Sequence, residues 1–142
     1  MQKQLLSRFS MSMANDLVVQ LDRMVREKGY ANRSQAVSEL VRDRLVSHNA
    51  EKVDQEIAGT ITLVYDHHRP LIQALLTDIQ HDHGDLIISS MHVHLDHHNC
   101  MEVLAVRGKS GQVQAMADQI VSAKGVKHGK LTVTSTGKDF SK

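Results

Sequence analysis

Aromatic side chains are scarce. Two tyrosines, two phenylalanines and no tryptophan occur in 142 residues. The core is therefore expected to be aliphatic and rich in methionine. A single cysteine, Cys100, excludes an intrachain disulfide framework. It fits a reducing compartment, so a cytoplasmic location is expected. No run approaches the roughly 18 apolar residues that a membrane span needs, and no membrane partner is expected. The opening MQKQLLSRFSMSM has no long apolar stretch and no A-x-A site, so no secretory leader is expected.

Charge is nearly balanced at +1, but it is not evenly spread. Residues 1–50 hold eight Lys/Arg and five Asp/Glu, a balance of +3. Residues 51–142 hold nine and eleven, a balance of −2. Histidine is abundant, with ten in all, and eight of them fall between His67 and His98. A basic head joined to a histidine-rich body implies two tasks. The expected division is a head at 1–50, a polar linker at 51–57 and a body at 58–142.

The head reads strand, helix, helix. Over residues 6–13, Arg8, Ser10 and Ser12 alternate with Phe9, Met11 and Met13, a period of two with one polar and one apolar face. Asn15 or Asp16 can cap a first helix, Leu17, Leu21, Met24 and Val25 recur at helical spacing, and Gly29 stops it. Asn32 or Ser34 can cap a second helix with Ala36, Val37, Leu40, Val41 and Leu45 as its stripe. One strand and two helices cannot bury an adequate core alone. A twofold dimer, pairing the strand antiparallel with its own copy, is the simplest remedy. Arg8, Ser10 and Ser12 would then face outward from a two-stranded ribbon, which fits the major groove of double-stranded DNA. Free N–H groups at the start of the second helix, beside Arg33 and Ser34, suit a phosphate oxygen. The leading segment 1–7 is longer than such a ribbon requires. Arg8-x-Ser10-x-Ser12 followed by Gly29-Tyr30-x-Asn32-Arg33-Ser34-x-Ala36 resembles the ribbon-helix-helix DNA-binding domains.

The body reads β-α-β-β-α-β. The expected elements are a strand at 59–67, a helix from Pro70 to about His81, and strands near 85–95 and 100–107 joined by His97-His98-Asn99. A helix at 110–124 and a strand at 126–135 complete it. This is the ferredoxin-like, split βαβ order, so the fold class is α+β. His92 and His94 lie two apart in a strand and share a face. Cys100 opens the next strand and can return beside His94. Two nitrogens and a thiolate suit nickel, copper, cobalt or zinc and not calcium or magnesium. A fourth ligand must come from elsewhere, with His81 and His83 as the candidates. Glu102, on the same strand face as Cys100, can orient a ligand by hydrogen bonding, as can Tyr65 and His67. His68, His97, His98 and His128 are read as peripheral.

Over nearly the whole chain the sequence resembles the nickel-responsive transcriptional regulators, the NikR family. The matching motifs are V-Y-x-H at Val64–His67, Q-H-x-H-x-D-L at Gln80–Leu86, H-V-H-x-x-H-x-x-C at His92–Cys100 and G-V-x-H-G at Gly125–Gly129. The resemblance implies an ACT-type body forming a homotetramer, a dimer of dimers flanked by two ribbon-helix-helix pairs. It implies Ni²⁺ bound by His92, His94 and Cys100 of one subunit and His81 of a neighbour, in square-planar geometry, which d⁸ nickel prefers. It also implies repression of nickel-uptake genes through an operator, and no enzyme activity. One departure stands at Gln35, where the family often has an acid that helps Glu39 bind a cation; Gln35 keeps a carbonyl acceptor but no charge. The rival readings are a cobalt or copper sensor, a metal-independent ACT-type regulator, a zinc hydrolase and an antitoxin-like protein.

Overall fold

The computed structural model describes residues 5–140. Residues 1–4, and with them most of the unassigned segment 1–7, lie outside the described residues, as do 141–142. The chain divides into two compact units, the first running up to Leu45 and the second spanning Val46–Asp139.

The first unit holds α1 (Asn15–Lys28) and most of α2 (Arg33–Ala50). Gly29 ends α1 at φ 73°, and the N–H groups of Gly29 and Tyr30 close on the Arg26 and Val25 carbonyls. A side chain at that φ would be strained, so glycine is the natural stop. The cap expected from Asn15 or Asp16 is not made. Both lie inside the helix behind Ala14, and Asp16 sits in the first turn, where its charge suits the helix dipole. At α2, Asn32 is the cap: its Oδ1 accepts the Gln35 N–H at 2.9 Å. Gln35 Oε1 in turn accepts the Ala31 N–H at 2.6 Å, a reciprocal cap. Glu39 pairs with Arg42 at 3.0 Å.

The strand expected over 6–13 is not formed within the chain; residues 5–14 carry no regular secondary structure. A strand exists only as half of a ladder, and this unit's other described elements are helices. Phe9 is 80% and Met11 62% exposed, and Ala36 is the buried residue among those described in this unit. The unit has an apolar face and almost no core.

The second unit holds β1 (Glu56–Asp66), α3 (Pro70–Asp82), β2 (Ile87–His94), β3 (Asn99–Lys109), α4 (Ser110–Val121) and β4 (Val126–Thr134). The sheet order is β2-β3-β1-β4, every neighbouring pair antiparallel. Each helix thus returns the chain two strands over, which is the expected ferredoxin-like arrangement. Alternate residues of β1 and β3 point into a core closed by Ile72, Leu76 and Ile79 of α3 and by Val113, Met116 and Ile120 of α4. Tyr65 is the aromatic in that core, which is otherwise mainly aliphatic as expected; it is not rich in methionine, since Met116 is the methionine among its described residues.

The expected linker at 51–57 is not a tether. β1 already begins at Glu56, and the segment before it caps α4. The Ser110 N–H donates to the Gln55 carbonyl at 2.8 Å and the Gly111 N–H to the Val53 carbonyl at 2.9 Å. Ser110 Oγ donates to the Ala50 carbonyl. A helix start always leaves N–H groups needing acceptors, and this polar segment supplies them. The division falls inside α2, between Leu45 and Val46, and not after residue 50.

Gly59 lies where β1 runs between β3 and β4, and a methyl group there would collide with the Thr132 backbone carbonyl. Gly59→Ala is expected to lower unfolding free energy by about 1–3 kcal/mol in urea titration. An unchanged midpoint would overturn the β1–β4 register.

Candidate metal centre

The site begins with strand register. β2 and β3 pair with His94 opposite Cys100 and His92 opposite Glu102. Directly opposed residues share a face, so imidazole and thiol are brought together by backbone alone. Cys100 Sγ lies 3.4 Å from His94 Nδ1. His67, just past the end of β1, brings a third donor, its ring edge-on to His94 with centroids 5.6 Å apart. Donor atoms of His67, His94 and Cys100 all lie within 4.8 Å of one another.

The protonation states fit a cation. His67 Nδ1 is buried with no hydrogen-bond partner, a costly state for a lone imidazole nitrogen unless something binds it. Lost hydration, then the charges of His68 and His94, push His67 below the ordinary imidazole range. It is therefore neutral near pH 7 and able to ligate. Burial pushes the Cys100 thiol up, and the carboxylates of Asp96, Asp66 and Glu102 push it further. Without metal the thiol keeps its proton; a metal must displace it.

His92 stands beside this group, its ring 5.1 Å from that of His94. Its Nδ1 lies 3.2 Å from the Tyr65 hydroxyl, which also lies 3.3 Å from Glu102 Oε2. Burial, then the Glu102 charge and hydrogen bond, raise the Tyr65 pKa strongly, so the phenol stays protonated. It donates its one proton to Glu102 and accepts from His92 Nδ1–H. That fixes the His92 tautomer and leaves Nε2 as a free lone pair. Glu102 Oε1 accepts from Gln80 Nε2 at 2.8 Å. Gln80 belongs to α3, next to His81, and its place in this network was not read from the sequence, although it opens the Q-H-x-H motif. Tyr65, Gln80, His92 and Glu102 line one cavity with Gln73, Leu76 and Thr77, of about 270 Å³.

The remaining histidines divide. His83 ends α3 with Nε2 3.2 Å from Gln119 Oε1, whereas His81 is exposed. His68 stacks against His67 at 4.1 Å and its Nε2 meets the His97 carbonyl at 2.7 Å, so it is nearer the centre than its peripheral reading implied. His98 lies against His68 at 5.2 Å. His128 pairs with Val64 in the β4 ladder. In the turn between β2 and β3, Asp96 accepts from the backbone N–H of His98 and Asn99 and from the Asn99 side chain. These bonds hold its carboxyl far below the usual range, the Asn99 side chain contributing most. Their stabilisation is present above about pH 4 and lost as pH falls further.

Of the residues expected to contact DNA, Arg8, Ser10, Ser12 and Ser34 are exposed. Arg33 is forked onto Asp22 of α1, with Nε and Nη2 at 2.6 and 2.7 Å from its two oxygens. That hydrogen bond lowers the Asp22 pKa and raises that of Arg33.

Residues 58–134 match the family model described as the NikR C-terminal nickel-binding domain. The chain belongs to the NikR family. It is 48% identical over 135 residues to a protein of Thermococcus onnurineus, covering 95% of this chain and 98% of that one. It is 50% identical over 133 residues to one of Geobacter sulfurreducens, covering 94% and 96%. Both carry the name "Putative nickel-responsive regulator". The metal of this domain family is Ni²⁺, and the nitrogen–thiolate donor set found here fits it.

Only a thiolate alkylates readily. In metal-free protein, alkylation of Cys100 is expected to keep accelerating above about pH 9, past the ordinary thiol range. A plateau below that pH would contradict the raised thiol pKa.

Proposed function

We propose that this NikR-family protein is a nickel-gated, sequence-specific DNA-binding repressor of nickel-uptake genes. The observation that carries the reading is the convergence of His92, His94 and Cys100 of one hairpin with His67 from the end of β1. His92, His94 and Cys100 of one subunit, with His81 of a neighbouring subunit, would hold Ni²⁺ in a homotetramer built as a dimer of dimers. The exposure of His81, set against the engagement of His83 by Gln119, supports that choice. Bound Ni²⁺ would supply a positive charge shared by a thiolate and imidazoles of two subunits. Tyr65, Glu102 and Gln80 orient His92 and tie its strand to the helix that carries His81.

The first unit is the DNA-binding half of this reading. Its exposed Phe9 and Met11 and near-absent core support a ribbon-helix-helix dimer, in which residues 6–13 of two chains pair as a ribbon. Arg8, Ser10 and Ser12 then read base edges in the major groove. Ser34 and the α2 N-terminus face phosphate, with Arg33 offering the guanidinium N–H groups that Asp22 does not use. Ni²⁺ favouring the tetramer arrangement competent for DNA makes the two affinities rise together, by the same factor.

The test is binding of purified protein to DNA upstream of nickel-transport genes, with chelator and then with one Ni²⁺ per chain. Tight binding only with Ni²⁺, weakening steeply with salt, is expected. Equal binding in both conditions would overturn nickel gating. Arg8→Ala is expected to abolish specific DNA binding at unchanged nickel affinity, and an unchanged operator affinity would refute the ribbon assignment. His81→Ala is expected to weaken nickel binding and uncouple it from DNA, and unaltered stoichiometry and affinity would move the fourth ligand elsewhere. Competition by Co²⁺ and Cu²⁺ in the same assay separates the metals that this donor set admits.

A further inference from the structure

The G-V-x-H-G motif runs from Gly125, just before β4, to Gly129 within it, at the edge of the sheet opposite β2, and the metal-binding reading leaves it without a role. Its glycines have packing reasons. Gly125 sits at φ 102° with a Cβ position 2.9 Å from Ile72 Cδ1, and Gly129 would meet Val121 Cγ2 at 2.7 Å. The residue midway between them, Lys127, is the unusual one. In the β1–β4 ladder Val64 pairs with His128, but Tyr65 pairs with Val126, so Lys127 is the extra residue of a β-bulge. A bulge releases its residue from the alternation of the strand and re-aims its side chain.

Lys127 uses that freedom to reach across the end of β1. Its Nζ donates to Asn99 Oδ1 at 2.6 Å. Asn99 faces the last residue of β1, Asp66, and directly precedes Cys100. The other end of the Asn99 side chain donates to both Asp96 oxygens, at 3.1 and 2.9 Å. The Asn99 backbone carbonyl accepts the Leu95 N–H at 2.9 Å and the Asp96 N–H at 3.3 Å. Its amide uses both donors and its oxygen on charged or backbone-linked groups. The turn between His94 and Cys100 is thereby tied to the far edge of the sheet.

We propose that Lys127 is a positioning residue for the metal centre, acting through Asn99 and Asp96 to hold the His94–Cys100 pair at ligating distance. This inference rests on the reading of that hairpin as the nickel site. A loop of five residues between two ligands can otherwise change their separation by small rotations, and affinity for a metal depends on donors held in place. Lys127 touches neither ligand; it sets where the strand carrying Cys100 starts.

The experiment compares full-length wild type, Lys127→Met, Lys127→Arg and Cys100→Ser. Ni²⁺ affinity is measured against a competing chelator, the thiolate-to-nickel absorption bands are recorded, and amide hydrogen exchange is followed on metal-free protein. Lys127→Met is expected to lower nickel affinity about tenfold, to alter the absorption bands and to speed exchange at Leu95, His98 and Asn99. Thermal stability is expected to stay near that of wild type, because Lys127 is exposed. Lys127→Arg, which keeps a cationic donor, is expected to restore affinity and exchange. Wild-type affinity and exchange in Lys127→Met would overturn the proposal. So would faster exchange spread over the whole β1–β3 ladder with a matching loss of stability, since that marks a general structural role. If Cys100→Ser bound Ni²⁺ as wild type does, the nickel-site reading would fall and the proposal with it. If Cys100→Ser lost the bands while Lys127→Met kept them, the clamp alone would fail.

Discussion

Everything in the second unit depends on how β3 is paired. It lies between β2 and β1, so Cys100 stands opposite His94 on one side and Tyr65 on the other. Two residues on, Glu102 stands opposite His92 and Leu63. A slip of one residue in either ladder would turn the thiol to the outer face and separate it from both imidazoles. The register is held from within by Leu104 and Val106, both buried under the helices, and at the open end by the turn at Asp96. Chemistry and packing therefore share one strand: its start is polar and donor-rich, and its middle is core.

That sharing explains why a carboxylate can sit in an aliphatic interior. Glu102 is nearly buried, a costly place for a charge without partners. Both its oxygens are occupied, one by the Tyr65 hydroxyl and the other by the Gln80 amide. A fully satisfied network of this kind is rigid, because each member loses a partner if any other moves. Its members come from β1, β3, α3 and, through His92, β2. The orientation of one imidazole is thus set by three other elements of the fold.

Much of this was legible in the sequence. The β-α-β-β-α-β order, Pro70 at the first turn of α3, Gly29 as a left-handed stop and the shared face of His92 and His94 all follow from local rules, and the structure has each of them. The parts that were not legible depend on distant contacts. Residues 51–57 look like a linker because they are polar, yet their carbonyls satisfy a helix start far along the chain. The strand over 6–13 has the right alternation, but among the described residues its own unit holds no strand for it to pair with. Gln80 lies between Ile79 and His81, and nothing local indicates that it points at Glu102. His67 was read as a residue that orients ligands, whereas the structure places its nitrogen among the donors.

The placement of His67 bears on how a metal would enter such a centre. Within one chain the close donors are His67, His94 and Cys100, while His92 is held by Tyr65 one ring away. The proposed set exchanges His67 for His92 and adds an imidazole from another subunit. His92 keeps Nε2 free while bonded to Tyr65 through Nδ1, so its recruitment does not require that hydrogen bond to break. His67 Nδ1 is buried without a hydrogen-bond partner among the described residues, so it would lack such an orienting bond. The set with His92 thus carries its orienting bond whether or not a metal is bound. On the proposed reading, the second subunit adds the free energy that moves the balance from the first arrangement to the second. By linkage, Ni²⁺ then favours the assembly that supplies that ligand.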